Sequence, residues 1–149
     1  MNGHVPDIKV ICVGKVKDRN LQLKTEDYIQ RIRHDARLEI IELKDDSSEK
    51  ENAKIKELVE RETGHILILS EDGKEYGSVE FAKRIEQINR RIVFVIGGTF
   101  GLNTAVKKAA SEVLSLSRFT FPHEIARLLL FEQIYRSLSI IRNRNYHKE

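Results

Sequence analysis

The sequence contains a single cysteine, Cys12, among its 149 residues, which excludes an intramolecular disulfide. Cys12 stands in an apolar stretch, where we expect a buried and unreactive thiol. No apolar run is longer than six residues, far too short to cross a bilayer. The first seven residues also lack the basic and apolar segments of a secretion signal. Together these absences predict a cytoplasmic protein with no membrane partner.

The sequence also lacks the common motifs of nucleotide-binding sites, serine hydrolases and metal sites. The glycines at positions 97, 98 and 101 do not follow the G-x-G-x-x-G pattern, and no Gly-Lys-Ser/Thr sequence follows them, so neither a dinucleotide fingerprint nor a P-loop is indicated. The G-x-S-x-G sequence of a nucleophile elbow is absent as well. The five histidines show no ligand spacing with one another or with Cys12, and we expect no metal site.

The composition is that of an ordinary globular chain. Hydrophobic residues make up 40% and charged residues 33% of the sequence, a balance that does not indicate disorder. The length suits one domain with its own core, and no repeat, low-complexity segment or linker interrupts it. We therefore expect residues 1–149 to form a single domain.

Strand-like and helix-like patterns alternate from end to end. Such alternation predicts an α/β fold with a mainly parallel sheet of five or six strands, covered by helices on both faces. A polar turn is expected at residues 71–77, and Ser78 is expected to cap the following helix. The predicted strands are 7–13, 38–43, 65–70, 92–96 and 113–117, and the predicted helices are 21–34, 48–62, 78–88, 103–110 and 122–141.

Two segments that follow strands contain residue types suited to a ligand pocket. Ile92–Ile96 runs directly into Gly97–Gly101, and Val113–Ser117 is followed by Arg118–Glu124. Glycine lets the backbone approach a ligand closely because no Cβ intervenes. Two such loops at one edge of a sheet would define a pocket, although glycines after a strand also form ordinary tight turns.

The positive charge is concentrated near the C-terminus. The chain has 26 Lys+Arg and 23 Asp+Glu, and residues 1–117 hold 20 of each, so the whole excess lies in residues 118–149. Clustered arginine is typical of contact with phosphates, whereas the alternative is a solvated basic surface. The basic residues expected to contact the phosphates of a partner are Arg127, Arg136, Arg142, Arg144 and Lys148.

The last predicted helix is apolar around much of its circumference. One face can bury against the sheet, but the remainder would be exposed in a monomer. A homodimer would cover it, and deep burial within one subunit is the alternative.

The order and spacing of four short motifs resemble one family. The motifs are Phe94–Leu102 with its three glycines, Leu114–His123, Glu132–Arg136 and the terminal Tyr146-His147. The chain resembles, over its whole length, the small SPOUT-class methyltransferases that methylate N3 of a pseudouridine in 23S ribosomal RNA of the large subunit.

This resemblance implies a SPOUT-type α/β knot, in which the C-terminal part of the chain is threaded as a trefoil knot, although knots are very rare in general. It also implies a homodimer and S-adenosylmethionine as the methyl donor. The small size favours a large preformed target such as an assembled ribosome or subunit. By position, the implied cofactor-binding residues are Leu69, Gly97, Gly98, Leu116, Ser117, Arg118, Phe119, Thr120 and Phe121.

Methylation at N3 requires loss of the imide proton, through a base or through cations that stabilise the anion. The candidates for this role are His123, Glu132, Tyr146, His147 and Arg142. His123 opens the last helix, where its alternative role is to bond a loop carbonyl. Glu132 could act as a buried base or form an ion pair with Arg136.

The terminal residues Tyr146 and His147 lie on a short polar tail. The resemblance implies that this tail is functional, closing over the partner subunit's pocket, with Tyr146 stacked on the target base. A frayed tail is the alternative. Two other functions stay open: a ribosome- or RNA-binding protein without catalysis, and a SPOUT methyltransferase with a different RNA target.

Overall fold

The computed structural model describes residues 5–148. Met1–His4, which belong to the segment predicted to lack a secretion signal, and Glu149 lie outside the described residues. Strands and helices alternate throughout. They are β1 (Asp7–Val13), α1 (Arg19–Asp35), β2 (Arg37–Leu43), α2 (Ser48–Arg61), β3 (His65–Glu75), α3 (Ser78–Gln87), β4 (Ile92–Val95), α4 (Thr104–Lys108), β5 (Glu112–Ser115) and α5 (His123–Ile141).

Within residues 5–148, five strands form one parallel sheet in the order β2-β1-β4-β3-β5. Successive strand residues point to opposite faces, so that Val10 and Phe94 join a core with α1, α3 and α5, whereas Ile11 and Val95 join a core with α2 and α4. All four side chains are fully buried. The predicted α/β class, with a parallel sheet and helices on both faces, is confirmed. The threading of a trefoil knot stays a prediction.

Side-chain caps explain where most helices begin. The Asp18 carboxylate accepts hydrogen bonds from the first backbone N–H groups of α1, and Ser47 and Asn103 cap α2 and α4 in the same way. The predicted cap of α3 is wrong by one residue. Gly77 is its N-cap, and its N–H donates to the Glu80 carboxylate at 3.0 Å.

The predicted polar turn at residues 71–77 is wrong, because β3 continues to Glu75. Leu114 of β5 pairs with both Leu69 and Lys74, so the four residues between them, Ser70–Gly73, form a bulge. A Cβ on Gly73 would lie 2.7 Å from the backbone of β5, which leaves no space for a side chain. The bulge places three polar side chains at the carboxyl edge of the sheet.

Helix α5 lies between α1 and α3. Leu130, Phe131, Ile134 and Leu138 are buried in the core, and the other large apolar side chains of α5 are half-buried. The expectation that much of this helix would be exposed in a monomer is therefore wrong, because two neighbouring helices flank it. The homodimer stays a prediction.

Candidate functional site: a pocket at the carboxyl edge and a C-terminal cluster

A cavity of about 440 Å³ lies at the carboxyl ends of β3, β4 and β5. Strand β3 stands between β4 and β5, so the two predicted loops flank the β3 bulge rather than each other. The carboxyl edge of a parallel sheet is where α/β proteins bind their ligands. The cavity is lined by Leu69, Ser70, Glu71, Asp72, Ile96, Gly97, Gly98, Thr99, Gly101, Leu102, Leu116, Ser117, Phe119, Thr120, Phe121, His123 and Ala126.

The glycine loop, residues 97–101, is both a tight turn and a wall of this cavity. The N–H of Gly101 donates to the carbonyl of Gly98 at 3.0 Å, and Gly101 has φ +70°, a conformation that favours glycine. A Cβ on Gly97 would lie 2.9 Å from the carbonyl carbon of Gly101. Any side chain at Gly97 would therefore force the turn open.

The first turn of α2 supports the glycine loop from behind. The N–H of Asn103 donates to the side-chain carbonyl of the buried Asn52 at 2.8 Å. The carboxylate of Glu51, which is also buried, lies close to Gly98: a Cβ added to Gly98 would be 3.2 Å from the Oε1 atom of Glu51. The bond between Asn103 and Asn52 fixes the chain just after the glycine loop, which favours a preformed pocket.

Local hydrogen bonds shape the loop between β5 and α5. The hydroxyl of Ser115 donates to the carbonyl of Ser117 at 2.9 Å, and the N–H of Phe119 donates to the hydroxyl of Ser117 at 3.0 Å. The Thr120 hydroxyl donates to Glu71 of the β3 bulge at 3.1 Å. These bonds tie the loop to the bulge, while Phe119 stays 78% exposed at the rim.

The structure brings most of the predicted cofactor residues together, with one exception. Arg118 does not line the cavity; its side chain is 87% exposed and its Nε atom lies 2.9 Å from the Glu75 carboxylate. The residues brought together are Leu69, Gly97, Gly98, Leu116, Ser117, Phe119, Thr120 and Phe121. Of the predicted catalytic residues, only His123 lines the same cavity.

The contribution of the β3 bulge to the pocket was not predicted from the sequence. Asp72 accepts a hydrogen bond from the Ser70 hydroxyl and forms an ion pair with Lys107 at 3.3 Å. Both contacts lower the pKa of Asp72. The available signal was Gly73 inside a polar run that follows a buried strand, a pattern typical of a bulge as well as of a turn.

The C-terminal tail turns back onto the protein at the end of α5. Asn143 has φ +57°, and the N–H of Arg144 donates to the carbonyl of Ser139 at 2.9 Å. The N–H of Asn143 donates to the carbonyl of Ile140 at 3.1 Å. These two bonds make a Schellman motif, in which asparagine takes the left-handed position usually held by glycine.

The returning tail joins a group of side chains that we call the tail cluster: Tyr28, Glu132, Arg136, Tyr146 and His147. The Tyr146 hydroxyl donates to Glu132 at 2.9 Å and lies 2.8 Å from the Tyr28 hydroxyl. Burial, together with these two hydrogen bonds, raises the pKa of Tyr146 well above its usual range. Tyr146 is therefore a neutral, firmly oriented hydroxyl at physiological pH.

Arg136 is the centre of the tail cluster. Its guanidinium lies 2.5 Å from Glu132 and 3.1 Å from Nδ1 of His147, and it covers the ring of Tyr146 at 4.8 Å. The hydrogen bond with Glu132 raises the pKa of Arg136. Glu132 thus forms the ion pair with Arg136 that was predicted as its alternative role. Because Tyr146 and His147 are bonded to this pair, the tail is anchored rather than frayed.

The tail cluster is separate from the pocket within one chain. Glu132 follows His123 by nine positions on α5, a distance of about 13 Å along the helix axis. Neither Glu132 nor Tyr146 nor His147 lines the cavity. The predicted catalytic residues therefore fall into two groups.

Arg127 is not available to RNA, contrary to the prediction. It is buried, with 4% of its surface exposed, and its guanidinium donates to the carbonyls of Val13 and Gly14 at 2.7 and 2.8 Å and pairs with Glu42 at 2.9 Å. Its role is to join α5 to the end of β1. Burial raises the pKa of the neighbouring Cys12 thiol to about 11, only partly opposed by the charge of Arg127, as expected for an unreactive cysteine.

The other predicted arginines also have acidic partners. Arg144 forms two bonds of 2.6 and 2.7 Å with the buried Asp35, and Arg142 lies 3.7 Å from the same carboxylate. Lys148 is exposed. The C-terminal excess of positive charge is therefore largely neutralised by carboxylates from elsewhere in the chain.

Among residues 5–148, no helix combines the length and apolarity needed to cross a membrane. Over the same residues, no group of three or more His, Cys, Asp or Glu side chains could hold a metal ion.

Comparisons with known proteins agree on one family. The profile of a family described as "Predicted SPOUT methyltransferase" matches residues 7–147. A "Ribosomal RNA large subunit methyltransferase H" from Prochlorococcus marinus (strain NATL2A) is 41% identical over 98% of this chain and 99% of its own length. A protein of the same name from Bacillus cytotoxicus is 36% identical over 95% of this chain and 99% of its own length.

A solved structure described as a probable methylase family protein from Haemophilus influenzae Rd KW20 has a similar fold. Its TM-score is 0.63 at 11% identity, over 98% of this chain and 72% of the other. With a profile match across nearly the whole chain and full-length relatives above one third identity, the chain belongs to the SPOUT methyltransferase family.

Proposed function

We propose that the protein transfers a methyl group from S-adenosylmethionine to N3 of a pseudouridine in 23S ribosomal RNA, on assembled ribosomes in the cytoplasm. The names of its near-full-length relatives support a target in the large ribosomal subunit. The structural observation that carries the proposal is the cavity at the carboxyl edge, where the bulge and two loops meet.

The residues of the cavity fit S-adenosylmethionine. Its volume of about 440 Å³ lies in the range of small-molecule sites, and Leu69, Leu116 and Phe121 offer apolar surface for an adenine ring. Backbone N–H and C=O groups of the two loops would read the polar edge of that ring. When bound, S-adenosylmethionine supplies an activated methyl group. The exposed, paired Arg118 is left out of the proposed contacts.

The protein's own contribution is position and handling of the N3 proton. His123, at the wall of the cavity, is the proposed acceptor of that proton within the same chain. Glu132 is engaged by Arg136 and Tyr146, so its proposed role is to orient these two groups rather than to act as the base. Arg136 would stabilise the anion that forms when N3 loses its proton.

A homodimer would bring the two groups of residues together. Within one chain the tail cluster lies away from the cavity, so we propose that Tyr146 and His147 of one subunit face the pocket of the other. The half-buried apolar side chains of α5 are the surface available for this contact.

The target is tested with ribosomes, large subunits and naked rRNA purified from cells that lack the protein. Each is incubated with labelled S-adenosylmethionine, and the modified base is mapped. We expect label at N3 of one pseudouridine, with ribosomes as the preferred substrate. Label on another base would identify a different SPOUT activity. No label, combined with equal affinities for S-adenosylmethionine and adenosine, would support a binding protein without catalysis.

The shared site is tested by mixing two inactive variants. Deletion of residues 145–149 should abolish methyl transfer and leave cofactor affinity nearly unchanged, whereas Gly97→Val should abolish cofactor binding. In mixed dimers one site keeps both an intact pocket and an intact tail, so mixing should restore activity. If the mixture stays inactive although mixed dimers form, the tail acts on its own subunit. If sedimentation shows only monomers, the proposal of a homodimer is wrong.

A further inference from the structure

Because the C-terminal arginines are paired internally, the free positive charge near the pocket must come from another segment. The segment 14–20 consists of the loop between β1 and α1 and the first two residues of α1. It contains Lys15, Lys17 and Arg19, and all three are exposed. Among residues 5–148, none of the three forms an ion pair within 4.0 Å. We call this segment the basic loop.

The basic loop is fixed beside the pocket. The backbone N–H groups of Lys17 and Asp18 donate to Oε1 of Glu124 at 3.1 and 3.2 Å. Glu124 lies in the first turn of α5, next to His123 in the wall of the cavity. The loop therefore stands at the rim of the proposed active site.

The start of the basic loop is also held in place. Gly14 has φ +76°, and its N–H donates to the carbonyl of Leu43 at 2.7 Å. Its own carbonyl accepts a hydrogen bond from the buried Arg127 at 2.8 Å. A loop anchored at Gly14 and at Glu124 presents its side chains to a ligand with little loss of backbone entropy on binding.

Several carboxylates near the basic loop already have partners, whereas Glu26, which lines a cavity with Lys15, is exposed. Asp18 accepts bonds from the N–H groups of Asn20 and Leu21 at 2.9 and 3.0 Å, and Glu42 pairs with Arg127. Glu124 accepts the two loop N–H groups. Asp45 is an exposed carboxylate beside Gly14. These hydrogen bonds turn the Asp18 and Glu124 carboxylates towards backbone N–H groups, and neither carboxylate forms an ion pair with Lys15, Lys17 or Arg19.

We propose that Lys15, Lys17 and Arg19 bind the phosphates of the RNA strand next to the target nucleotide. Three unpaired cations at the rim of a pocket match a polyanion whose charges are regularly spaced. Phosphate contacts of this kind fix the register of a nucleic acid without reading its sequence. The inference rests on the proposed RNA target and adds the surface that would hold it.

The experiment compares two triple variants that remove the same charge. The test variant is Lys15→Ala, Lys17→Ala and Arg19→Ala. The control variant is Lys54→Ala, Lys83→Ala and Arg90→Ala, three exposed basic residues on α2, on α3 and in the turn before β4. Affinity for ribosomes lacking the methyl group is measured across a series of salt concentrations, together with methyl transfer and calorimetric titration with S-adenosylmethionine.

For the test variant we expect affinity for ribosomes to fall by about tenfold or more at low salt, with the slope of log K against log salt shallower by about 2. Its cofactor affinity should change by less than about twofold, since the loop does not line the cavity. The control variant should bind ribosomes like the wild type.

Equal salt slopes for the test variant and the wild type would overturn the inference. So would an equal loss in both triple variants, because net charge rather than the basic loop would then be responsible. If the wild type methylates no ribosomal substrate, the proposed function fails and this inference fails with it. If the wild type methylates ribosomes and the test variant binds and methylates them equally well, this inference is wrong and the proposed function stands.

Discussion

The pocket and the tail cluster differ in how their side chains are used. Around the pocket, the glycine loop has little side-chain surface, and Phe119 and Phe100 extend into solvent, 78% and 65% exposed. In the tail cluster, by contrast, Glu132, Arg136 and Tyr146 are bound to one another.

This difference indicates two kinds of functional region. The pocket leaves backbone groups and apolar surface free for a ligand, whereas the tail cluster is already organised and exposes a set of oriented groups. Preorganised groups accelerate a reaction because no reordering is needed when charge develops. Changes at the pocket should therefore alter binding, and changes in the tail cluster should alter turnover.

The largest effect is expected at Gly97. A Cβ there would lie 2.9 Å from the backbone of Gly101, so Gly97→Val should weaken cofactor binding by about 100-fold or more, equivalent to about 2.7 kcal/mol. Calorimetric titration measures this. The matched control is Gly77→Ala, where a Cβ meets only a side-chain oxygen at 3.5 Å. Normal titration by Gly97→Val would remove the glycine loop from the binding site.

A smaller effect, confined to turnover, is expected at Tyr146. Tyr146→Phe keeps the ring but removes the hydroxyl bonded to Tyr28 and Glu132, and kcat should fall by about 10- to 100-fold with unchanged cofactor affinity. Tyr76→Phe is the control, since it removes a similar tyrosine bond to Glu112 at 2.9 Å. If cofactor affinity falls by the same factor as kcat, the tail cluster contributes to cofactor binding and is not functionally distinct from the pocket.

A still smaller effect is expected at Tyr28, which acts through Tyr146. Tyr28→Phe leaves the bond between Tyr146 and Glu132 in place, so kcat should fall by only about three- to tenfold. In the double variant with Tyr146→Phe, the second change should add almost nothing, because both act on one hydroxyl. Fully additive losses in steady-state kinetics would show that Tyr28 acts independently.

No effect on turnover is expected at Glu112, near the opposite edge of the sheet. Burial alone would raise its pKa, but hydrogen bonds from Arg84, His65 and Tyr76 outweigh burial and lower the pKa of Glu112 from 4.5 to about 2. A lowered pKa stabilises the fold above pH 4.5, and this contribution, at most about 3 kcal/mol, is lost as the pH falls towards 2.

Urea unfolding of the wild type and Glu112→Gln tests this. The difference between their free energies of unfolding should be largest at neutral pH and shrink below pH 4.5. A difference that is independent of pH would mean that Glu112 contributes through packing rather than through its charge. Loss of methyl transfer at neutral pH with an intact fold would connect this edge to the reaction.

Much of the fold could be predicted because local patterns carry it. The alternating apolar segments predicted all five strands, and the apolar spacing of the segments between them predicted all five helices. The exception is β3, where the polar residues Glu71 and Asp72 lie in a bulge that only its pairing with β5 reveals. Polar residues inside a strand look like a turn until the partner strand is known.

The site was predicted in part. Leu69, Gly97, Gly98 and residues 116–121 were identified through the resemblance, and the structure brings all of them except Arg118 to one cavity. The return of the tail was not foreseen, although Asn143 after a long helix is a recognisable signal for a helix C-terminus. The separation of Tyr146 from His123 depends on how α5 packs, which no local pattern shows.

The order of the elements was determined by the sequence alone, since the apolar spacing that defines each element depends on near neighbours in the chain. Which cations remain free was decided only by the tertiary structure. Arg144 meets Asp35 across 109 positions and Arg127 meets Glu42 across 85, so charges that accumulate at one end of the sequence are neutralised in space. Electrostatic attraction acts through distance in three dimensions, and only the folded chain sets that distance.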